Sequence, residues 1–301
     1  MNESELMRFD VLDERHGAVP CAAVLPRGAE GALPLCLFLY GGTGSRETLA
    51  EIHSVLDAWW VAGAIPRMLV ATPDVGPFSF YLDDPERGLF WESFVTGRFV
   101  TDLRERFRLR ARAALVGISM GGYGALKVAF SRSAEFAAVA AISPMLEPAF
   151  PANSVPLRNR YHYPPEVPQA LLGPVRDAAL YERDHPATRA RIHAAAVRDT
   201  DLAIYLDASG RDTFHAHDGA EHLHRLLWSL DIPHEYLLRR DFDHAGPELV
   251  DRLREAFAWV GARLQPAAAP TPSALRAQFA GLRAEATASD PSFERCYGRL
   301  P

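Results

Sequence analysis

Short unbroken apolar runs recur along the chain, separated by longer stretches whose apolar residues fall at helical spacing. Pro34 introduces Leu35-Cys36-Leu37-Phe38-Leu39-Tyr40, and Met68–Ala71, Ala113–Ile118, Ala137–Ile142 and Leu202–Leu206 are built alike. Runs that are apolar at every position describe strands buried on both faces, as in a parallel sheet covered by helices. Between them the pattern predicts helices over Glu47–Ala62, Glu92–Phe107, Tyr123–Ser131, Ala187–Val197, Phe214–Leu230 and Pro247–Leu264, with a last strand at His234–Leu238. Ahead of the series, Phe9–Leu12 and Val19–Leu25 flank His16-Gly17 as an antiparallel hairpin. The alternation predicts an α/β fold: a mostly parallel central sheet with crossover helices on both faces.

The rhythm breaks twice. From Ser143 to about Asp184 it fails, and eight prolines lie from Pro144 to Pro174. This reads as a short proline-rich insertion over the C-terminal edge of the sheet. Beyond Gln265, Pro266–Pro272 is linker-like, and the tail that follows holds one amphipathic candidate, Leu275–Ala286. The expectation is one domain over 1–265, with 143–184 as its lid-like insertion, then a linker and tail over 266–301.

Chemistry enters at Gly117-Ile118-Ser119-Met120-Gly121-Gly122. A G-x-S-x-G between a buried strand and a helix is a nucleophile elbow, a turn so tight that side chains at its glycines would collide. It raises the serine hydroxyl at a helix N-terminus, where the N–H of Met120 can meet a developing oxyanion. A serine needs a base, and the base needs an orienting group. In an open parallel sheet these gather at the C-terminal ends of the strands.

His244 follows the last strand through Asp241-Phe242-Asp243, and an imidazole is suited to take and return a proton near neutral pH. The strand before it runs into Asp207-Ala208-Ser209-Gly210-Arg211-Asp212, so two aspartates compete for the third place. Asp212 is favoured because the loop can carry it across to His244. Asp207, at the strand terminus, is expected to brace the loop by accepting backbone N–H bonds. The order Ser…Asp…His is that of the α/β-hydrolases. Gly41-Gly42-Thr43-Gly44 after the first parallel strand allows close backbone approach to a ligand, and Gly42 N–H is the expected second oxyanion donor, with Thr43 the runner-up. His215, His217, His222 and His224 with Asp218 are read as a solvated helix face and not as a metal site, since residues two apart on a helix face different ways.

Composition narrows the partners. A net charge of −6 argues against nucleic acid or an anionic membrane surface. Cys21, Cys36 and Cys296 are scattered and odd in number, which favours a reducing compartment over a disulfide framework. Met1–Glu5 is acidic and no apolar run follows it, so no signal peptide is expected and the expected location is cytoplasmic. Lys127 is the only lysine, with no mechanistic content legible in that fact. No metal or organic cofactor is expected, and a homo-oligomer is possible.

Taken together, these residues resemble the "Putative esterase" family of the α/β-hydrolase superfamily, whose relatives include esterase D (S-formylglutathione hydrolase), enterochelin-type esterases, feruloyl esterases and secreted mycolyltransferases. Besides the elbow, the resemblance rests on Tyr81-Leu82-Asp83-Asp84-Pro85, Trp91-Glu92-Ser93-Phe94-Val95, Asp212-Thr213-Phe214 and Asp243-His244. It implies Ser119, Asp212 and His244 as a triad, with Gly42 and Met120 forming an oxyanion hole. Tyr81, Trp91, Tyr161, His162 and Tyr163 are the candidate substrate-binding residues. The expected activity is hydrolysis of a carboxylic ester or thioester through an acyl-enzyme. The alternatives are an acyltransferase or biosynthetic tailoring enzyme on the same fold, and a non-catalytic binding module. Truncating Tyr161, His162 and Tyr163 to alanine should reorder activity among esters of graded acyl length while leaving the melting temperature nearly unchanged. A shifted melting temperature with an unchanged ranking would make the insertion structural.

Overall fold

Eight strands form one sheet in the order β1-β2-β4-β3-β7-β8-β9-β10. They are β1 (Ser4–Asp13), β2 (Gly17–Pro26), β3 (Leu33–Leu39), β4 (Leu69–Pro73), β7 (Leu109–Ile118), β8 (Phe136–Ile142), β9 (Ala203–Ser209) and β10 (Glu235–Arg239). A separate two-stranded ribbon pairs β5 (Asp83–Asp84) with β6 (Leu89–Phe90). The structure is a computed structural model that describes residues 4–28, 31–147 and 178–265, with five further positions between 281 and 289. The chain divides into two compact units, Met1–Leu264 and Gln265–Pro301, and the sheet belongs to the first.

The hairpin β1–β2 and the β2–β4 pair are antiparallel, and every pair from β4 through β3, β7, β8 and β9 to β10 is parallel. From β3 the chain first goes to β4 on one side and later to β7 on the other. The crevice between the C-terminal ends of β3 and β7 is therefore the switch point where ligands bind in such sheets. Ala113–Val116 are buried at every position, so β7 is covered on both faces. The helices Met120–Ser131 and Leu249–Leu264 both pack on β7 and β8 and supply that cover.

Several elements depart from their expected limits for identifiable reasons. β7 begins at Leu109, ahead of the apolar run, because its polar N-terminal half is held by arginines. Arg110 donates to the carbonyls of Leu264 at 2.6 Å and Ala32 at 3.2 Å, and Arg112 donates to that of Phe136. β9 continues past Leu206 through Asp207, whose carboxylate is neutralised in place by arginines. The expected helix 47–62 breaks at Ile52 into Glu47–Glu51 and His53–Val61, and the expected 187–197 breaks at His193 into Pro186–Ile192 and Ala194–Asp199. The elbow helix starts at Met120, directly after the serine, and not at Tyr123. Within the span read as the insertion, Ala178–Asp184 is helical. Among the described residues, no helix is long and apolar enough to cross a membrane.

Lys127, inconspicuous in the sequence, lies fully buried on the elbow helix. Its Nζ reaches both carboxylate oxygens of Asp184 at 3.0 Å and Glu92 at 3.3 Å, while the Tyr123 hydroxyl donates to Asp184 at 2.9 Å. Lys127 thus ties the elbow helix to the helices Trp91–Phe94 and Ala178–Asp184, with Arg189 a second, half-buried cation 3.4 Å from Asp184 and 3.6 Å from Glu92. Removing one partner of a buried pair strands the other charge and costs about 3–5 kcal/mol, whereas exposed pairs contribute about 0–1 kcal/mol. Lys127→Ala should therefore lose about 3–5 kcal/mol in urea unfolding. Arg132→Ala, which breaks the exposed pair with Glu135, should lose less than about 1 kcal/mol.

Candidate active site

Ser119 links β7 to the helix Met120–Ser131 with φ 54 and ψ −116, a left-handed conformation that is strained for any residue with a side chain. The neighbouring glycines explain how the turn closes. A Cβ on Gly117 would lie 2.1 Å from the Gly121 carbonyl oxygen, and one on Gly121 would lie 1.9 Å from that of Leu39. Neither position admits any side chain. The Ser119 N–H donates to the Ile142 carbonyl at 2.9 Å, and the Ser119 carbonyl accepts from Met145 N at 3.0 Å and Tyr123 N at 3.1 Å.

His244 Nε2 lies 2.9 Å from Ser119 Oγ, and its Nδ1 lies 2.8 Å from Asp212 Oδ2. The other Asp212 oxygen accepts from Phe214 N at 2.8 Å and Ala216 N at 3.3 Å. Burial by itself raises the Asp212 carboxyl. The hydrogen bond and charge of His244 and the two N–H donors outweigh it and hold the group below the usual carboxylate range. Folding thus lowers this pKa, so its contribution to stability is complete above the ordinary value, about 3.9, and is lost as pH falls through the folded value.

Asp207 has a different surrounding. It is 0% exposed and sits between two guanidiniums, accepting from Arg239 Nε at 2.7 Å and from Arg252 Nε at 2.7 Å. The expectation that it braces the loop through backbone N–H groups is corrected here: arginine side chains from β10 and the last helix take that place. Both of its oxygens are committed to arginines, and the loop beyond Gly210 brings Asp212 to the imidazole.

A cleft of about 730 Å³ opens over Ser119 and His244. Gly42, Thr43 and Met120 line it beside Ser119, as does the turn Gly41–Gly44, closed by Gly44 N–H to the Gly41 carbonyl at 3.0 Å. Its lining is apolar at Phe78, Phe80, Met145, Phe214 and Leu249 and polar at Ser45, Thr48 and Glu51. Two expected pocket residues lie elsewhere. Tyr81 is fully buried beneath the elbow helix, where the absence of a side chain on Gly124 leaves room for its ring (a Cβ there would be 2.6 Å away), and its hydroxyl donates to the Tyr40 carbonyl at 3.3 Å. Trp91 stacks on His16 of the hairpin at 3.9 Å between ring centroids, outside the lining of the cleft. Tyr161, His162 and Tyr163 lie outside the described residues.

The aromatic residues that do line the cleft, Phe78 and Phe80, were not singled out in the sequence. Both have left-handed backbones, at φ 50, and so does Tyr81 at φ 54. Phe78 is tied to the Gly41–Gly44 turn by its N–H on the Gly42 carbonyl at 2.8 Å, and its ring occupies the space a Gly42 side chain would need. The available signal was the crowded aromatic run Phe78-Ser79-Phe80-Tyr81 after Gly76. Elsewhere, His224 Nδ1 and His234 Nε2 are 2.8 Å apart, and among the described residues no group of three or more His, Cys, Asp or Glu side chains is arranged to hold a metal ion. Cys21 and Cys36 are free and buried, and burial pushes the Cys21 thiol up to about 12.

A mostly parallel sheet with a strained serine at the end of a central strand, before a helix, defines an α/β-hydrolase. More narrowly, the chain belongs to the "Putative esterase" family, whose family model matches residues 20–231, and is an ester-hydrolysing enzyme by that membership. Solved structures share the fold at low identity. A ferulic acid esterase aligns with a TM-score of 0.72 at 19% identity, over 88% of this chain and 100% of its own. An S-formylglutathione hydrolase from Agrobacterium tumefaciens aligns at 0.68 and 19%, over 88% and 97%. MPT51 (FbpC1) of Mycobacterium tuberculosis aligns at 0.67 and 14%, over 87% and 99%. No curated protein sequence matches the chain.

The two aspartates should separate cleanly on mutation. Asp212→Asn keeps the shape but favours the wrong imidazole tautomer, and kcat should fall by about 10⁴ in a protein that still folds. Asp207→Asn leaves the buried guanidinium of Arg252 short of its counter-charge, while Arg239 keeps Glu255. It should cost about 3–5 kcal/mol in urea unfolding while lowering kcat by no more than about tenfold. The reverse pattern would assign the orienting role to Asp207.

Proposed function

We propose that the protein is a serine esterase that cleaves a carboxylic ester or thioester through an acyl-enzyme. The observation that carries this reading is the continuous hydrogen-bonded chain from Ser119 Oγ through His244 to Asp212, with steps of 2.9 and 2.8 Å, opening on the cleft. Asp212 accepts the Nδ1–H of His244 and so leaves Nε2 free to receive the serine proton. As Ser119 Oγ attacks the carbonyl carbon, the proton moves to Nε2 and the carbonyl π electrons move onto oxygen. The N–H groups of Gly42 and Met120, with Thr43 as the alternative to Gly42, face that oxyanion. Collapse expels the alkoxide or thiolate, which takes the proton from His244. Water then gives a proton to Nε2 as it attacks the acyl-enzyme, and collapse releases the acid as Ser119 Oγ takes that proton back from Nε2.

The cleft constrains the substrate as well. Its aromatic and aliphatic lining suits an apolar acyl or aryl group, and its polar residues Ser45, Thr48 and Glu51 suit a hydrogen-bonding alcohol portion.

Ser119→Ala should retain its fold and lose kcat by about 10⁶, the scale of nucleophile removal in a comparable triad. Mass spectrometry after fluorophosphonate treatment should place the label on the peptide carrying Ser119. More than a few per cent residual turnover in a contaminant-free Ser119→Ala preparation would rule out the serine mechanism. Products formed with added alcohols or thiols report whether water alone resolves the acyl-enzyme.

A further inference from the structure

Behind the cleft, the segments that carry its reacting groups meet on one side chain that lines no part of it. Arg252, near the start of the helix Leu249–Leu264, is 1% exposed. Its Nε and Nη2 both donate to Asp207 Oδ1, the first at 2.7 Å. Nη2 also donates to Ser143 Oγ at 2.8 Å, and Nη1 donates to the Asp243 carbonyl at 3.3 Å. The planar fork of a guanidinium is what allows one residue to reach three acceptors on three segments.

Two of those acceptors lead directly to the reacting groups. Asp243 precedes His244, and its carboxylate accepts from His244 N at 2.6 Å and from Thr213 N at 2.8 Å, so it stitches the histidine loop to the aspartate loop. Ser143, at φ 40, opens the segment that backs the nucleophile. Pro144 packs against Gly122, where a Cβ would lie 2.9 Å from the Pro144 Cα, and Met145 N donates to the Ser119 carbonyl at 3.0 Å. Charge balance at Asp207 does not by itself call for Arg252. Arg239 already supplies a cation there, and it is shared with the partly exposed Glu255. What Arg252 adds is the connection from Asp207 to the Ser143 and Asp243 segments.

We infer that Arg252 is a positioning residue: it fixes the loop of His244 and the segment behind Ser119 to one rigid anchor, and thereby sets the Ser119–His244 separation. The inference rests on the reading of Ser119, His244 and Asp212 as the reacting triad. A displacement of about 1 Å between reacting groups can cost about 10²-fold in rate, so loosening this anchor acts on kcat more than on substrate affinity.

The test compares the full-length wild type with Arg252→Lys and Ser143→Ala. It uses p-nitrophenyl acetate turnover, the rate of fluorophosphonate labelling, and thermal unfolding. Lysine keeps the charge beside Asp207 but cannot hold all three acceptors in one plane. Folded Arg252→Lys should lose about 10- to 100-fold in kcat per labelled site. Its KM should change less than about twofold, and labelling should slow in step with kcat. Ser143→Ala removes a single arm, so kcat should fall by about two- to fivefold with the melting temperature nearly unchanged. A folded Arg252→Lys that loses melting temperature but keeps kcat within about twofold overturns the inference. If that variant does not fold, Ser143→Ala decides, and an unchanged kcat there overturns it. A wild type that neither turns over nor labels defeats the catalytic reading itself, whereas a labelled wild type matched by equally reactive variants defeats only the role given to Arg252.

Discussion

Between β7 and the helix that follows, the backbone reverses through Ser119 at φ 54, and the rest of the site depends on that reversal being held. Strain of this kind costs of order 1–3 kcal/mol and persists only where the surroundings over-determine it. Here the surroundings are close-packed backbone. Gly117 and Gly121 have no room for a Cβ, and Gly122 lies against Pro144. The serine N–H and carbonyl are both engaged, across to β8 and to Met145. The hydroxyl is consequently presented to the switch-point crevice, beside the turn Gly41–Gly44 that ends β3.

Buried charge fastens the surrounding elements. Lys127 fastens the elbow helix to Asp184 and Glu92, and Asp207 fastens the last helix and β10 to the end of β9 through Arg252 and Arg239. Buried ion pairs are weak sources of net stability because both partners are desolvated. Their effect in this fold is to fix where helices and loops end. That explains a chain that places an arginine at 1% exposure and its single lysine at 0%.

The cleft follows from the same economy of space. Its aromatic wall comes from a loop in which Phe78, Phe80 and Tyr81 all adopt left-handed backbones, so that two rings face the crevice while the third drops beneath Gly124. Phe78 fills the volume over Gly42 and binds its carbonyl, which makes the aromatic wall and the glycine turn one rigid unit. Substrate selection and the proposed oxyanion donors are thereby coupled through a single loop contact.

Much of this was legible in the chain because it is local. Apolar runs two-sided in character mark the buried strands, the glycines of Gly117–Gly122 can be there only for lack of space, and His244 follows a strand that ends near a helix. What tertiary structure alone decided involves partners far apart in sequence. The sequence favours Asp212 over Asp207, but what holds Asp207 is visible only when Arg239 and Arg252, 32 and 45 positions away, are folded against it. The length of β9 follows from the same pairing, since a strand can run through an aspartate only where its charge is met. Tyr81 and Trp91 carry a family pattern without lining the cleft, because Gly124 and His16 supply their packing partners, and no spacing rule foretells that. Period and glycine report what the backbone must do nearby. Which side chain meets which is settled by the three-dimensional competition for space and counter-charge.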